Sequence, residues 1–406
     1  MSDNINRRTV LTGVSTGIGL ATIGAASADE TQVQYIVAGG NPRQLEQAGY
    51  TVVHEITGAN VYLVLGSEDG DPTAVNGVEA AFEDFAYGLD RPAEPTTAEA
   101  EGDLADEQWD KHLINAFDAH EYATGEGTRI GIIDTGVAHS HPDLGNVDRD
   151  ASRTFVGWEE SDHTGDVQYH GTHVAGIAAA TGEAGVTGVA PDSEIVSLRT
   201  FPSEGPLLAG VGDTFLALDH AAEQGLDVVN MSIGSPPQPP QENQEGYRIA
   251  RQRVVRSVAQ RGTSVVTSAG NDSQNLQQGG WISLWGTLPR ASSISATTEN
   301  DELAEFSNYG ANEISVGAPG AEILSTFDPD NDTDELSGEL YASLSGTSMS
   351  APQVAGLSAL VSELEPNANV NQVENAIERG AEGNGRGDPE TGAGRIDALE
   401  TVTSLR

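Results

Sequence analysis

One stretch of this chain limits what it can fold into more than any other. Gly346-Thr347-Ser348-Met349-Ser350-Ala351-Pro352 carries small residues up to a serine, then continues as Gln353-Val354-Ala355-Gly356-Leu357-Ser358-Ala359-Leu360-Val361, an apolar helical run. A serine at such a boundary places its hydroxyl at the positive end of a helix dipole, where backbone N–H groups lack intrahelical partners and favour negative charge. Proline fits the first turn, because the N–H it lacks would have no partner there. Two readings of Ser348 stand: a helix N-cap, the ordinary job for serine in this position, or a nucleophile. The second needs a base, an orienting acid and an oxyanion donor elsewhere in the chain.

Arg129-Ile130-Gly131-Ile132-Ile133 is a β-rich apolar run that ends in Asp134-Thr135-Gly136. In an α/β sheet, a polar residue just past the carboxyl end of a buried strand lies where ligands bind. Asp-Thr-Gly also occurs in aspartic proteases, but those need a second such acid on a matching lobe, and the chain offers none. Asp134 therefore wants another kind of partner. His170-Gly171-Thr172-His173-Val174-Ala175-Gly176 opens a helix of small residues. Histidines at i and i+3 share a helical face, so a metal pair has to be weighed, with His163 and Asp166 as the further ligands at hand. The favoured reading makes His170 the base and His173 a packed, hydrogen-bonded helix residue.

In this order the three segments closely resemble the signature segments of subtilisin-like serine proteases. The order Asp, His, Ser is that of subtilisin itself, so it checks the resemblance and adds nothing to it. Val228-Val229-Asn230-Met231-Ser232-Ile233-Gly234 is similar to the family's substrate-pairing strand, and Val265-Val266-Thr267-Ser268-Ala269-Gly270-Asn271 to the strand ending in its oxyanion asparagine. Gly188-Val189-Ala190-Pro191, Phe306-Ser307-Asn308-Tyr309-Gly310 and Ala318-Pro319-Gly320 extend the likeness, which runs from about Gln108 to Leu399.

The resemblance implies an α/β, subtilisin-like three-layer fold with a mainly parallel central sheet, and a serine endopeptidase. It implies Ser348 as nucleophile, His170 as general base, Asp134 as the acid that orients it, and Asn271 with the Ser348 backbone N–H as the oxyanion hole. A protein or peptide substrate would lie along Ser232, Ile233 and Gly234, with side-chain preference set near Ser268, Ala269 and Gly270. No cofactor is required for this chemistry. Family members commonly bind calcium in a loop after the histidine helix, but here that loop is the short Thr181-Gly182-Glu183-Ala184-Gly185 with one carboxylate. A structural calcium ion would instead draw on Asp162, Asp166 or the run from Asp328 to Glu335. No metal ligand is assigned. Ser235-Pro236-Pro237-Gln238-Pro239-Pro240-Gln241 reads as a stiff surface loop, and Trp281 and Trp285 as either pocket wall or ordinary packing.

Residues 1–28 hold Arg7-Arg8, a weakly apolar segment and Ala26-Ser27-Ala28, the pattern of a twin-arginine secretory signal. The apolar run is too short and polar for a membrane span of about 20 residues. Export in a folded state is expected, giving a soluble, monomeric protein outside the cell. Residues 29–90 read as an α+β unit, with strands at Val33–Val37, Thr51–Glu55 and Val61–Leu65 and helices opened by Pro42 and Pro72. Residues 91–105 have two prolines and no apolar period, the composition of a solvated linker. The catalytic domain is expected over 106–406, without a C-terminal extension domain. By resemblance the α+β unit is a propeptide that blocks the cleft, and self-cleavage is expected between Pro92 and Asp106.

Charge supplies the remaining constraint. The 406 residues carry a formal net charge of -43, and Lys111 is the only lysine. Such a surface repels nucleic acid and anionic membranes. At about 1 M salt, screening shortens to roughly 3 Å and clustered carboxylates cease to repel strongly, so the composition resembles that of halophilic archaeal proteins. With no cysteine, neither disulfides nor thiolate metal sites can form. The rival functions are a scaffold whose cleft is permanently filled by the leading unit, and a metal hydrolase.

Overall fold

The computed structural model describes residues 32–89, 96–97, 102–163, 165–234, 246–277, 283, 285–328, 339–383 and 385–406. The expected signal peptide, most of the linker, the proline-rich run, Trp281 and residues 329–335 lie outside the described residues.

The leading unit contains β1 (Gln32–Gly39), α1 (Pro42–Gln47), β2 (Thr51–Ile56), β3 (Val61–Ser67) and β4 (Val78–Glu83), followed by β5 (Ala86–Gly88). The first four strands form an antiparallel sheet in the order β2-β3-β1-β4. Alternation along β1 and β3 gives the sheet two apolar faces. Tyr35, Val37, Tyr62 and Val64 pack with Leu45 of α1 on one side. Ile36, Ala38, Leu63 and Phe82 on the other side join the core of the large body. The proline that opens α1 follows Asn41, whose side chain accepts the Arg43 N–H as an N-cap.

After β6 (Thr96–Thr97), the body is built on an eight-stranded sheet in the order β15-β14-β13-β12-β7-β10-β8-β9. Its strands are β7 (Arg129–Asp134), β8 (Arg153–Val156), β9 (Glu159–Asp162), β10 (Glu194–Arg199), β12 (Val228–Met231), β13 (Ser264–Ser268), β14 (Ala291–Thr297) and β15 (Val316–Pro319). All neighbours are parallel except the β8/β9 edge pair. The short strand β11 (Leu208–Gly210) pairs with β5, and β16 (Ile323–Thr326) and β17 (Tyr341–Leu344) form a hairpin that also takes β6.

Side-chain alternation sends Ile130, Ile132, Val228 and Val266 to one face of the sheet, under α2 (His170–Ala179) and the helix Thr347–Leu364. Ile133, Val229 and Val265 go to the other, under α3 (Val211–Glu223) and α4 (Tyr247–Gln260). The helix Thr347–Leu364 is α5. Parallel strands buried on both faces read as continuous apolar runs, which is why β7 was legible. Around 25 cal/mol per Å² of apolar burial on each face holds the three layers together. The result is the α/β three-layer fold with a mainly parallel sheet, preceded by an α+β unit.

The leading unit docks on α3 and α4. Phe82 meets Tyr247 edge to face at 4.6 Å, Ser257 donates to the Thr57 carbonyl at 2.6 Å, and Arg253 pairs with Glu79 at 2.7 Å. At the start of α3, Asp84 accepts the Gly212 N–H at 3.2 Å and the Trp158 indole N–H at 2.7 Å. Asp213 beside it accepts the Trp158 and Gly157 backbone N–H groups. Burial, then the Asp213 charge, pushes Asp84 up to about 7; burial pushes Asp213 up to about 6. A carboxyl that holds its proton more tightly when docked favours docking at low pH, and that contribution is lost as pH rises from the ordinary carboxylate range through about 7. Thermal denaturation of the intact chain at constant salt should show the midpoint falling between pH 5 and 7. Asp84→Asn should flatten that profile, and an equally steep one would disprove the assignment.

Candidate active site

Asp134 is the last residue of β7 and is fully buried at the sheet's carboxyl edge. His170, the first residue of α2, points its Nδ1–H at that carboxylate, 2.8 Å from Oδ1 and 3.0 Å from Oδ2. A donor at Nδ1 leaves Nε2 as the basic nitrogen of the neutral ring. The start of α2 is anchored amide by amide. Tyr169 N–H and His170 N–H donate to the Gln168 side chain at 3.0 and 2.9 Å, Gly171 N–H to Thr135 Oγ1 at 2.9 Å, and Thr172 N–H to Asp166 Oδ2 at 2.9 Å. These are the four groups a helix start leaves without internal partners. Gly171 must be glycine here: a Cβ would stand 2.0 Å from the Gly136 carbonyl oxygen.

The metal reading of this helix fails on geometry. His173 donates from Nε2 to the Ala342 carbonyl at 3.0 Å, and burial pushes it down to about 3, so it is a neutral tie between α2 and β17. His163 bonds the Val137 carbonyl, and Asp166 is spent on Thr172 and Gln168. Among the described residues no three His, Asp or Glu side chains converge on a metal position.

Ser348 is 1% exposed and sits second in α5. Two sequence expectations are corrected here. The N-cap is Gly346, in extended backbone, so Ser348 is not a cap. Pro352 is not in the first turn but inside the helix, where its missing N–H would have bonded the Ser348 carbonyl four residues back. That carbonyl instead accepts the Ser232 hydroxyl at 2.8 Å, and the Ser348 hydroxyl donates to the Ser232 carbonyl at 3.2 Å. Asn230 in turn donates to Ser232 Oγ at 2.9 Å. Substrate was expected along the main chain of Ser232, Ile233 and Gly234; the Ser232 side chain has the separate job of holding the serine helix.

Asn271 lies beside the start of α5. Its Oδ1 accepts both the Thr347 N–H at 2.9 Å and the Thr347 hydroxyl at 3.0 Å, which turns its amide nitrogen toward the side of Gly346. The preceding Ser268-Ala269-Gly270 is clamped by Asn308, which donates from its amide to the Ala269 carbonyl and from its backbone to the Gly270 carbonyl, both at 2.9 Å. Gly286 closes on the Ser268 carbonyl, following the buried Trp285. Tyr169 stacks on Phe327 at 4.6 Å.

A paired edge strand was missed from sequence. Leu208-Ala209-Gly210 forms β11, on which β5 lies antiparallel with Tyr87 opposite Ala209. Its only signal is a glycine- and proline-flanked Leu-Leu-Ala ahead of a helix.

The calcium loop implied by the resemblance does not fit that ion here. Asp143, fully buried, accepts the Ala184 N–H at 2.6 Å, the Gly185 N–H at 3.3 Å, the Val186 N–H at 3.2 Å and the Tyr341 hydroxyl at 2.7 Å. Gln108 closes the loop by bonding both backbone groups of Thr187. Calcium requires a shell of oxygen acceptors; this carboxylate is surrounded by hydrogen-bond donors whose positive ends would face the cation.

Residues 125–394 match the family model described as the subtilase family. Subtilisin Savinase of Lederbergia lenta is 36% identical over 275 residues, covering 67% of this chain and 90% of that protein. M-protease of Shouchella clausii is 36% identical over 279 residues, covering 68% of this chain but only 65% of its own length. Thermitase of Thermoactinomyces vulgaris is 31% identical over 304 residues, 73% of this chain and 95% of its own. Among solved structures, the epidermin leader peptide processing serine protease of Staphylococcus aureus superposes with a TM-score of 0.73 at 22% identity, over 92% of this chain and 98% of that one, a likeness of fold.

Ser232→Ala should leave the Ser348 carbonyl buried without its donor, costing about 1–3 kcal/mol. Chemical denaturation checks this, and an unchanged midpoint and slope would show that the bond does not support the helix.

Proposed function

The chain belongs to the subtilase family of serine endopeptidases, and on that premise we propose that it hydrolyses peptide bonds in proteins through an acyl-enzyme on Ser348. The observation that carries the reading is the His170 ring held by both Asp134 oxygens at 2.8 and 3.0 Å, buried, at the carboxyl edge of the sheet. A serine hydroxyl is a weak nucleophile at neutral pH, so His170 Nε2 takes its proton as Oγ attacks the carbonyl carbon, then returns it to the leaving amine. Water deacylates the enzyme by the same route in reverse order. Asp134 keeps the Nδ1–H tautomer and stabilises the imidazolium without taking the proton. The Asn271 amide and the Ser348 backbone N–H, at the start of α5, receive the oxyanion. No cofactor enters these steps.

Substrate lies extended by strand addition against β11 and the main chain of Ser232, Ile233 and Gly234, with the 268–270 pocket beside Asn271. Support comes from β5, which already lies on β11 in that manner, while β6 pairs with β17, four residues before Ser348. The leading unit is accordingly read as an inhibitory propeptide, and the two pairings favour a scissile bond between Leu89 and Thr96, in the early part of the expected stretch or just before it. Twin-arginine export to the exterior and adaptation to high salt complete the proposal. The salt reading draws support from the net charge of -43 and from Lys111, the one lysine, being buried.

The purified protein should hydrolyse casein, with activity rising from salt-free buffer to molar salt. A serine-directed organofluorophosphate should abolish it and a zinc chelator should not. Ser348→Ala should be inactive and stay full length; trimming of that variant with no other protease present would rule out self-processing. Asn271→Ala should lower kcat by roughly 100- to 1,000-fold with KM little changed, the cost known for the equivalent donor in subtilisin. Steady-state kinetics on a peptide substrate reads it, and a loss under threefold would remove Asn271 from the oxyanion hole.

A further inference from the structure

The pocket that holds Tyr87 has a chemistry more specific than an apolar slot. Tyr87 is 4% exposed, and its ring meets Trp285 at 6.3 Å; Trp285 in turn meets Phe215 at 6.1 Å, edge to face in both pairs. Arg251, itself buried, stands over that indole, 6.0 Å from its centre. The deep end of the pocket is polar. The Tyr87 hydroxyl lies 2.5 Å from Thr214 Oγ1, and Thr214 Oγ1 donates its own hydrogen to the Gly210 carbonyl at 3.0 Å. With its hydrogen committed, Thr214 can only accept, so the phenol is the donor. Burial raises the phenol above its ordinary value, which keeps that proton in place.

Tyr87 belongs to the leading unit, whereas Thr214, Phe215, Trp285 and Gly210 belong to the body and remain when that unit leaves. Resting on the endopeptidase reading above, we propose that this pocket is a substrate subsite selective for tyrosine, with Thr214 as the residue that recognises the hydroxyl. A peptide lying on β11 as β5 does delivers one side chain here, on the N-terminal side of its scissile bond. Phenylalanine would fill the aromatic walls equally well but leave the Thr214 oxygen buried without a donor, an unmade bond that costs more than a made one gains. Leucine or alanine would lose the edge contacts with Trp285 as well.

The test uses the processed enzyme and internally quenched peptides copying residues 84–97, unchanged or carrying Tyr87→Phe or Tyr87→Ala, with casein hydrolysis measured in parallel. The tyrosine peptide should exceed the phenylalanine peptide in kcat/KM by about tenfold, with the alanine peptide lower still. Thr214→Val should bring the Tyr:Phe ratio close to one, and Thr214→Ser should restore it. Casein cleavage with no preference for tyrosine over phenylalanine, or a ratio that survives Thr214→Val, overturns the proposal while leaving the endopeptidase reading intact. Absence of casein cleavage defeats the endopeptidase reading, and the subsite with it.

Discussion

The site depends on a carbonyl that its own helix cannot satisfy. Pro352 deprives the Ser348 C=O of its intrahelical donor, and a buried carbonyl without a partner is costly. The Ser232 hydroxyl fills that place from beyond the end of β12, and the Ser348 hydroxyl returns a bond to the Ser232 backbone. Proline inside a helix, ordinarily a defect, is here what couples the first turn of α5 to the central sheet. Thr347 makes the second tie, bonding Asn271 through both its N–H and its hydroxyl. The turn bearing Ser348 is thus fixed to the ends of two strands, while Asp134 and the start of α2 are fixed to each other by a separate set of bonds.

The parts of the candidate site were largely legible in sequence because each is local. A buried parallel strand ending in a carboxylate, a small-residue helix opening on histidine, and a serine ahead of an apolar helix each announce themselves within about ten residues. The resemblance joined them, and the folded chain brings Asp134 to His170 and Asn271 to Thr347. The main strands of the leading unit were legible for the same reason, through their alternation.

The parts that escaped are those whose meaning lies in a distant partner. β11 has three residues and takes its identity from pairing with β5. Asp143 sits in an unremarkable His-Pro-Asp-Leu turn, and its role depends on Tyr341 and on three amides of the 184–186 segment. Pro352 was misplaced because the helix begins at Thr347, ahead of the serine, and no side chain marks its cap. Hydrophobic pattern locates elements; it does not say which backbone groups lack partners once the elements meet.

Lys111 is fully buried, paired with Asp110 at 2.6 Å, and Asp110 also accepts from Gln353 of α5 at 3.0 Å. A buried pair of this kind contributes little net stability but is expensive to break on one side. Because it is also the only lysine, the folded chain exposes no lysine amine. Lysine-directed labels and cross-linkers therefore find no lysine to attack on the native protein, and reaction at Lys111 becomes a direct chemical reporter of unfolding around α5.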